Sequence, residues 1–224
     1  MIMKKKKKVV NKKVISGKKL FLLGLLLSIE LGLLAFLNDV SIIKFVSSLR
    51  HVYLDYALLS VAFASNVFLM FFFLTSLFLW KEHKRRWILP LWFSSFFAVG
   101  VSYVMKILIK RPRPFQERLV SALQIAVYFV KDNFMTWNSS FPSFQAMLVF
   151  SAVPILSKEF KKLKYVWFVF ACLVAFSRVY FGLHYMSDIL AGAVIGYLIG
   201  FLMVFIEEKY GLGLKVMRKL GISR

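Results

Sequence analysis

Long apolar runs separated by short basic segments constrain this chain more than any other feature. The runs lie at about 20–37, 57–80, 88–109, 142–157, 165–182 and 187–206. A helix rising ~1.5 Å per residue needs roughly 20 residues to cross ~30 Å of hydrocarbon. Most of the runs reach that length, although 142–157 is short for a span. The sequence therefore predicts an all-α integral membrane bundle of six helices, with residues 20–206 as the membrane domain.

Composition supports a membrane protein and excludes a water-soluble globular one. Apolar residues make up 60% of the 224 positions, and 25 of them are Phe. The net charge of +21 would suggest nucleic acid binding in a soluble chain. Here the basic residues lie mostly between the apolar runs, so we expect no nucleic acid partner. With Cys172 as its single cysteine, the chain has no internal disulfide and no thiolate metal site.

The distribution of Lys and Arg predicts the orientation of the chain in the membrane. One side holds 22 of them, in residues 1–19, 81–87, 158–164 and 207–224, and the other side holds nine. We therefore expect both termini to be cytoplasmic, with 1–19 a lysine-rich N-terminus and 207–224 a basic C-terminus. Residues 39–56 have apolar positions at helical spacing and predict an amphipathic helix on the outer interface. An outer loop is expected at about 110–141.

The outer side combines several cations with one imidazole and one carboxylate: Lys106, Arg111, Arg113, Arg118, Arg178, His184 and Asp188. Charge near hydrocarbon is costly and usually functional, although single basic residues at helix ends often only reach toward headgroups. Together these groups suit phosphoryl transfer. Guanidinium and ammonium groups neutralise phosphate, a neutral His attacks phosphorus, and an Asp on its other nitrogen fixes the tautomer.

Three sequence motifs give this cluster a family resemblance. Lys106 to Pro114 fits K-x6-R-P, with Arg113 as its arginine, and Ser177 to Asp188 fits S-R-x5-H-x3-D. A third motif, P-S-G-H, is half present, because Phe144 and Gln145 follow Pro142-Ser143. The chain resembles the type 2 phosphatidic acid phosphatase superfamily over roughly residues 55–206. That superfamily also contains the vanadium haloperoxidases.

The resemblance implies a six-helix plan with an outward-facing active site and a role for each matched residue. Lys106, Arg113 and Arg178 would bind phosphate oxygens. Ser143 would add its hydroxyl, and the backbone N–H groups of Ser143 and Phe144 would add further donors. His184 would be the nucleophile that forms a phosphohistidine, and Asp188 would orient it. The family needs no metal, and we expect no cofactor.

Gln145 occupies the position where the family has its general-acid His. An amide donates a hydrogen bond but does not transfer a proton in this pH range. A lipid monophosphate leaves without much proton help, because its second pKa is ~6, whereas an alkoxide does not. The substitution therefore favours a lipid diphosphate such as a polyprenyl diphosphate. The acids and imidazoles available as substitutes on the outer side are His51, Glu117 and Asp132, each more simply interpreted as a solvated or interfacial group.

The favoured function is a membrane lipid phosphatase or diphosphatase, whose partners are its lipid substrate and membrane lipids and no obligate protein. Three alternatives stay open. An alcohol instead of water could accept the phosphoryl group, which would make the chain a phosphotransferase. The Phe144 and Gln145 replacements are consistent with reduced activity or with a non-catalytic member that binds lipid phosphates. Glu30, within a span, is the feature that would suit a small transporter or channel.

Overall fold

The fold is that of a computed structural model, which describes residues 17–80, 82–120 and 139–221. The described residues form helices and contain no β-strand. The α-helices are α1 (Gly17–Ser48), α2 (Val52–Ala64), α3 (Val67–Leu79), α4 (Ile88–Ile109), α5 (Phe144–Glu159), α6 (Lys164–Tyr180), α7 (Met186–Tyr210) and α8 (Leu212–Lys219). Short 3-10 helices, Glu82–Trp87 and Lys161–Leu163, precede α4 and α6.

Helix α5 lies at the centre of the bundle, between α4, α6 and α7. Every side chain from Ala146 to Leu156 is buried. The most extensive packing is with α7, which turns a stripe of small residues toward α5: Gly192, Gly196 and Gly200. A Cβ at Gly196 would lie 2.1 Å from the Met147 carbonyl oxygen. Glycine at every fourth position therefore lets the two backbones touch, as in close helix pairs of membrane proteins.

Four described helical segments are long and apolar enough to cross a membrane: Glu30–Ser48, Glu82–Ile109, Lys161–Tyr180 and Met186–Tyr210. Helices α2 and α3 are bent by 62° and make a fifth span if they cross as one unit. Helix α5, with 16 residues, is too short by the same measure. The all-α membrane architecture is confirmed, whereas the count of six spans stays a prediction.

The prediction of one amphipathic helix over 39–56 is wrong. Residues 39–48 continue α1, and α2 begins only at Val52 after a short break. The apolar run breaks at Asn38-Asp39, but Asp39 is 3% exposed and forms an ion pair with Arg111 at 2.8 Å. Because the carboxylate meets a cation instead of lipid, the helix continues through it. The same stretch contributes Ile43 and Val46 to the core.

The predicted span at 57–80 is interrupted at Ser65-Asn66. The Asn66 side chain accepts a hydrogen bond from the Phe68 N–H at 3.0 Å and so caps the start of α3. This cap separates α2 from α3, because an N-cap residue has non-helical backbone angles.

Two sets of connections mark the two ends of the bundle. At one end, 49–51, 110–120, 139–143 and 181–185 lie together, as the bond from the Ser140 N–H to the Arg111 carbonyl (2.7 Å) illustrates. At the other end, Trp87 bonds to Glu159 at 2.8 Å, and Gly213 packs on the Arg86 carbonyl. Three of the four basic segments predicted to be cytoplasmic therefore share one end. Residues 1–16 lie outside the described residues, and the domain boundaries stay predictions.

Candidate active site

The first end of the bundle brings together the residues of the two fully matched motifs. Lys106 lies in the last turn of α4, Arg113 in the segment that follows it, and Arg178 in the last turn of α6. His184 precedes α7, and Asp188 lies in its first turn. All five are buried, with 0 to 6% of each residue exposed. Five ionisable groups buried at one depth form a polar centre within an apolar bundle.

The two ring nitrogens of His184 face groups of opposite charge. Nε2 lies 3.0 Å from Arg113 Nη1. Because a guanidinium only donates, Nε2 holds the lone pair, and the neutral ring carries its proton on Nδ1. Nδ1 lies 3.6 Å from Asp188 Oδ2, which is longer than a hydrogen bond. The lone pair of His184 thus points at a guanidinium group, which is a side chain suited to binding phosphate. A nucleophile toward phosphate requires such an available lone pair.

Both oxygens of the Asp188 carboxylate accept hydrogen bonds. Arg111 donates to Oδ1 at 2.8 Å, and the Ser140 hydroxyl donates to Oδ2. The Tyr185 N–H also donates to Oδ2, at 2.8 Å, in a capping box at the start of α7. An acidic residue in the first turn also complements the helix dipole. Asp188 therefore caps α7 and faces His184 with the same carboxylate oxygen, Oδ2.

The site holds His184 neutral and Arg113 charged. Burial, reinforced by the Arg113 and Lys106 charges, lowers the pKa of His184 to about 3, although Asp188 opposes the shift. Burial lowers the pKa of Arg113 to about 10, which still leaves it protonated at neutral pH. Burial lowers the pKa of Arg111, but the Asp188 and Asp39 carboxylates raise it by more, so that its pKa is raised overall. A neutral imidazole beside charged guanidinium groups is the combination that nucleophilic attack on phosphate requires.

Positive charge is in excess at this end of the bundle. Lys106 Nζ donates to the Ser139 carbonyl at 2.6 Å, and Arg178 Nη2 donates to the Ser65 hydroxyl at 2.9 Å. The cluster contains four basic side chains, with Lys106, Arg113 and Arg178 buried and Arg111 half-buried, against two buried carboxylates, Asp39 and Asp188. An uncompensated buried charge is costly. A phosphate group with about two negative charges would balance this excess.

The half-matched motif lies at the start of α5. The Ser143 hydroxyl caps the helix by accepting from the Ala146 N–H at 3.4 Å. The Ser143 N–H donates to the Asp188 carbonyl at 3.1 Å, so this predicted phosphate donor is already engaged in a backbone bond. Phe144 is buried, and Gln145 is half-buried. The contribution of Ser143 to a phosphate would come from its hydroxyl.

Three polar residues of the site were missed by the sequence patterns: Asp39, Ser140 and Ser187. Asp39 accepts from Arg111 and, at 3.0 Å, from the Ser187 N–H. Its position directly after a span-length apolar run was an available signal, because a carboxylate at such a depth requires a partner. The two serines carried no comparable signal.

The residues considered as a replacement for the general acid missing at Gln145 lie in different parts of the chain. Glu117 is exposed and accepts a hydrogen bond from the Tyr185 hydroxyl, next to His184 in the chain. The His51 ring packs on the Tyr53 ring, with ring centres 5.4 Å apart. The backbone N–H of His51 donates to the Tyr180 hydroxyl. Asp132 lies outside the described residues. Glu117 is thus the candidate placed nearest to the His184 segment by its contacts.

A known protein family matches more than half of the chain. The sequence profile of the PAP2 superfamily matches residues 87–211, a region that contains all three motifs. The chain belongs to the PAP2 superfamily. This membership confirms the resemblance carried by the Lys106–Pro114 and Ser177–Asp188 motifs.

Relatives and a solved structure agree with this membership. The PAP2 chain is 35% identical over 106 residues to phosphatidylglycerophosphatase B of Bacillus subtilis, covering 47% of this chain and 51% of that protein. It is 30% identical over 139 residues to an undecaprenyl-diphosphatase of Sulfolobus acidocaldarius, covering 60% and 62%. The chain therefore spans about half to three-fifths of these curated relatives. A PAP2-type phosphatidylglycerolphosphate phosphatase from Bacillus subtilis superposes with a TM-score of 0.66 at 24% identity, covering 86% and 96% of the two chains.

Proposed function

We propose that this PAP2 protein is a membrane phosphatase that removes phosphate from a lipid diphosphate or lipid phosphate through a phosphohistidine at His184. The observation that carries the proposal is the orientation of His184. Its unprotonated Nε2 faces the Arg113 guanidinium at 3.0 Å, while Nδ1 faces Asp188. The excess of buried cations around this nitrogen matches the charge of a phosphate group.

The reaction takes two steps on the same nitrogen. In the first, Nε2 attacks phosphorus, an N–P bond forms, and the P–O bond to the lipid breaks with its electron pair on the leaving oxygen. Lys106, Arg113 and Arg178 hold the phosphoryl oxygens, and the Arg113 donor now on Nε2 turns to one of them. In the second step, water attacks phosphorus and the N–P bond breaks with its electron pair on Nε2, so that inorganic phosphate leaves with the oxygen and the protons of the water. Asp188 stabilises the cationic ring between the steps.

A lipid diphosphate is the substrate class that this chain's own residues favour. Gln145 stands at the general-acid position and supplies no proton to the leaving group. General acid catalysis is typically worth ~10²–10⁴-fold. Without a general acid, a reaction that expels a lipid monophosphate loses little of this rate gain, because that leaving group needs little protonation. A reaction that expels an alkoxide loses most of it. The Sulfolobus relative is an undecaprenyl-diphosphatase, which supports the same substrate class.

The same residues favour one competing function, a non-catalytic lipid phosphate binder. Phe144 is buried at the start of α5, where the family motif has glycine, and Gln145 follows it. His184, Asp188 and the phosphate-binding cations are all present, which favours turnover over binding alone.

We place the protein in the cell membrane, with both termini cytoplasmic and the site on the outer face. The 22-to-9 division of basic residues supports this orientation. The site end of the bundle is opposite the end that contains 82–87 and 207–221.

The function is tested by phosphate release from purified protein in detergent. Polyprenyl diphosphate and phosphatidic acid are compared, each with and without EDTA. We expect release from both, faster from the diphosphate and unchanged by EDTA. Binding of both lipids without phosphate release would establish the non-catalytic alternative, and release abolished by EDTA would contradict the metal-independent mechanism.

A further inference from the structure

We propose that Asp39 and Arg111 are a positioning pair, which holds Asp188 and thereby His184 in the orientation for attack. The inference rests on the proposed function, because it assigns these two residues a part in the same reaction. Neither residue is at a defined position of the three motifs, since Asp39 lies outside them and Arg111 is at a variable position of K-x6-R-P. Both are placed here by the contacts that they make in the fold.

Arg111 joins two carboxylates that lie far apart in the sequence. Nη1 donates to Asp188 Oδ1 at 2.8 Å, and Nη2 donates to Asp39 Oδ2 at 2.8 Å. Aromatic rings flank the guanidinium. The ring centres of Tyr185 and Phe36 lie 4.0 Å and 5.2 Å from its Cζ atom. A planar fork with charged partners on both arms is a rigid link.

Arg111 and Arg113 are two residues apart but contact different members of the His184–Asp188 pair. Arg113 Nη1 faces His184 Nε2, where phosphorus would be attacked. The terminal nitrogens of Arg111 both face carboxylates, and Nη1 also bonds to the Ser187 hydroxyl at 2.7 Å. Arg113 is therefore placed for the substrate, whereas Arg111 is placed for Asp188.

Asp39 extends this link to α1 and to the first turn of α7. Its Oδ1 accepts from the Ser187 N–H at 3.0 Å, and its Oδ2 accepts from Arg111. Asp39 thus holds the backbone next to Asp188 as well as the cation bonded to it. Displacing a reacting group by ~1 Å can lower the rate ~10²-fold. The loss of Asp39 should therefore lower kcat without weakening lipid binding.

The test is steady-state kinetics of Asp39→Asn with polyprenyl diphosphate in detergent. We expect kcat to fall about 10-fold to 100-fold while KM stays close to the wild-type value. The matched control is Asp55→Asn, since Asp55 also accepts a hydrogen bond at this end of the bundle, from the Tyr180 hydroxyl at 2.6 Å. The control should keep the wild-type kcat.

A double-mutant cycle separates positioning from general destabilisation. If Asp39 acts through Asp188, then Asp39→Asn should cost little further rate in an Asp188→Asn background. If the fold-loss in kcat of the double variant equalled the product of the two single losses, the inference would be overturned. A wild-type kcat in Asp39→Asn would also overturn it. If Asp39→Asn does not fold, Arg111→Lys replaces it. This variant keeps the charge but loses the fork, and the inference requires its kcat to fall at unchanged KM.

The outcomes also separate the inference from the proposed function. No phosphate release by the wild type and by Asp55→Asn would end the proposed function itself. Release by both, at a rate that Asp39→Asn equals, would end only the inference about Asp39 and Arg111.

Discussion

His184 combines complete burial with a cationic neighbour, and this determines how it responds to pH. Burial and Arg113 lower its pKa from 6.5 to about 3. The unfolded chain takes up this proton as pH falls through ~6.5 and the fold does not, so the burial of His184 reduces stability progressively below that pH. In the folded protein the ring stays neutral, and competent as a nucleophile, throughout pH 5 to 8.

We therefore predict that the His184 ring does not titrate between pH 8 and pH 5. The measurement is NMR of histidine-labelled protein in detergent, with the His184 signal assigned by its absence in His184→Ala. A midpoint near the ordinary value of ~6.5 would contradict the account of its surroundings.

Gln145 and Phe144 are the residues at which this chain departs from its family. We predict that Phe144→Gly with Gln145→His restores a general acid and raises kcat/KM most for phosphatidic acid, by up to ~10²–10⁴-fold. A polyprenyl diphosphate should gain much less, because its leaving phosphate needs little proton help. Equal gains for the two lipids would remove the reason for preferring diphosphates.

The contact between α5 and α7 is the element-scale feature on which the site depends. It places Ser143 against Asp188 by a backbone bond of 3.1 Å. We predict that Gly196→Ala lowers the free energy of unfolding by ~1–3 kcal/mol or more, because the added Cβ would lie 2.1 Å from the Met147 carbonyl oxygen. The control is Gly100→Ala, where nothing lies within 4 Å of the new Cβ. Thermal unfolding in detergent compares the two, and equal midpoints would contradict the close packing.

The sequence predicted the elements well where a single physical signal dominated. Apolar length located α4, α6 and α7. The residues of the two complete motifs, His184 and Asp188 among them, lie together in the fold, and their catalytic roles stay predictions. Prediction failed where a distant partner decided the outcome. The end of α1 was misplaced because the partners of the buried Asp39 carboxylate, Arg111 and Ser187, lie 72 and 148 residues away in the chain. The stripe at Gly192, Gly196 and Gly200 was readable as a close-packing signal, but its partner helix was not.

For the molecule as a whole, we predict that the site lies on the outer face of the membrane. We predict that a membrane-impermeant thiol reagent labels Arg118→Cys from outside intact cells, in a Cys172→Ser background, and does not label His83→Cys or Lys161→Cys. All three positions are exposed, so burial does not explain a difference between them. Labelling of position 83 but not 118 would place the site on the cytoplasmic side.

Trapping of the phosphoenzyme determines whether His184 carries the phosphoryl group. The protein is mixed with polyprenyl diphosphate labelled at its terminal phosphate, and the reaction is quenched within one turnover. We predict a protein-bound label that acid removes and base does not, as expected of a phosphohistidine. The label should be absent from His184→Ala, which should also lose turnover, and it should form more slowly in Asp188→Asn. Full turnover or an undiminished label in His184→Ala would contradict the account.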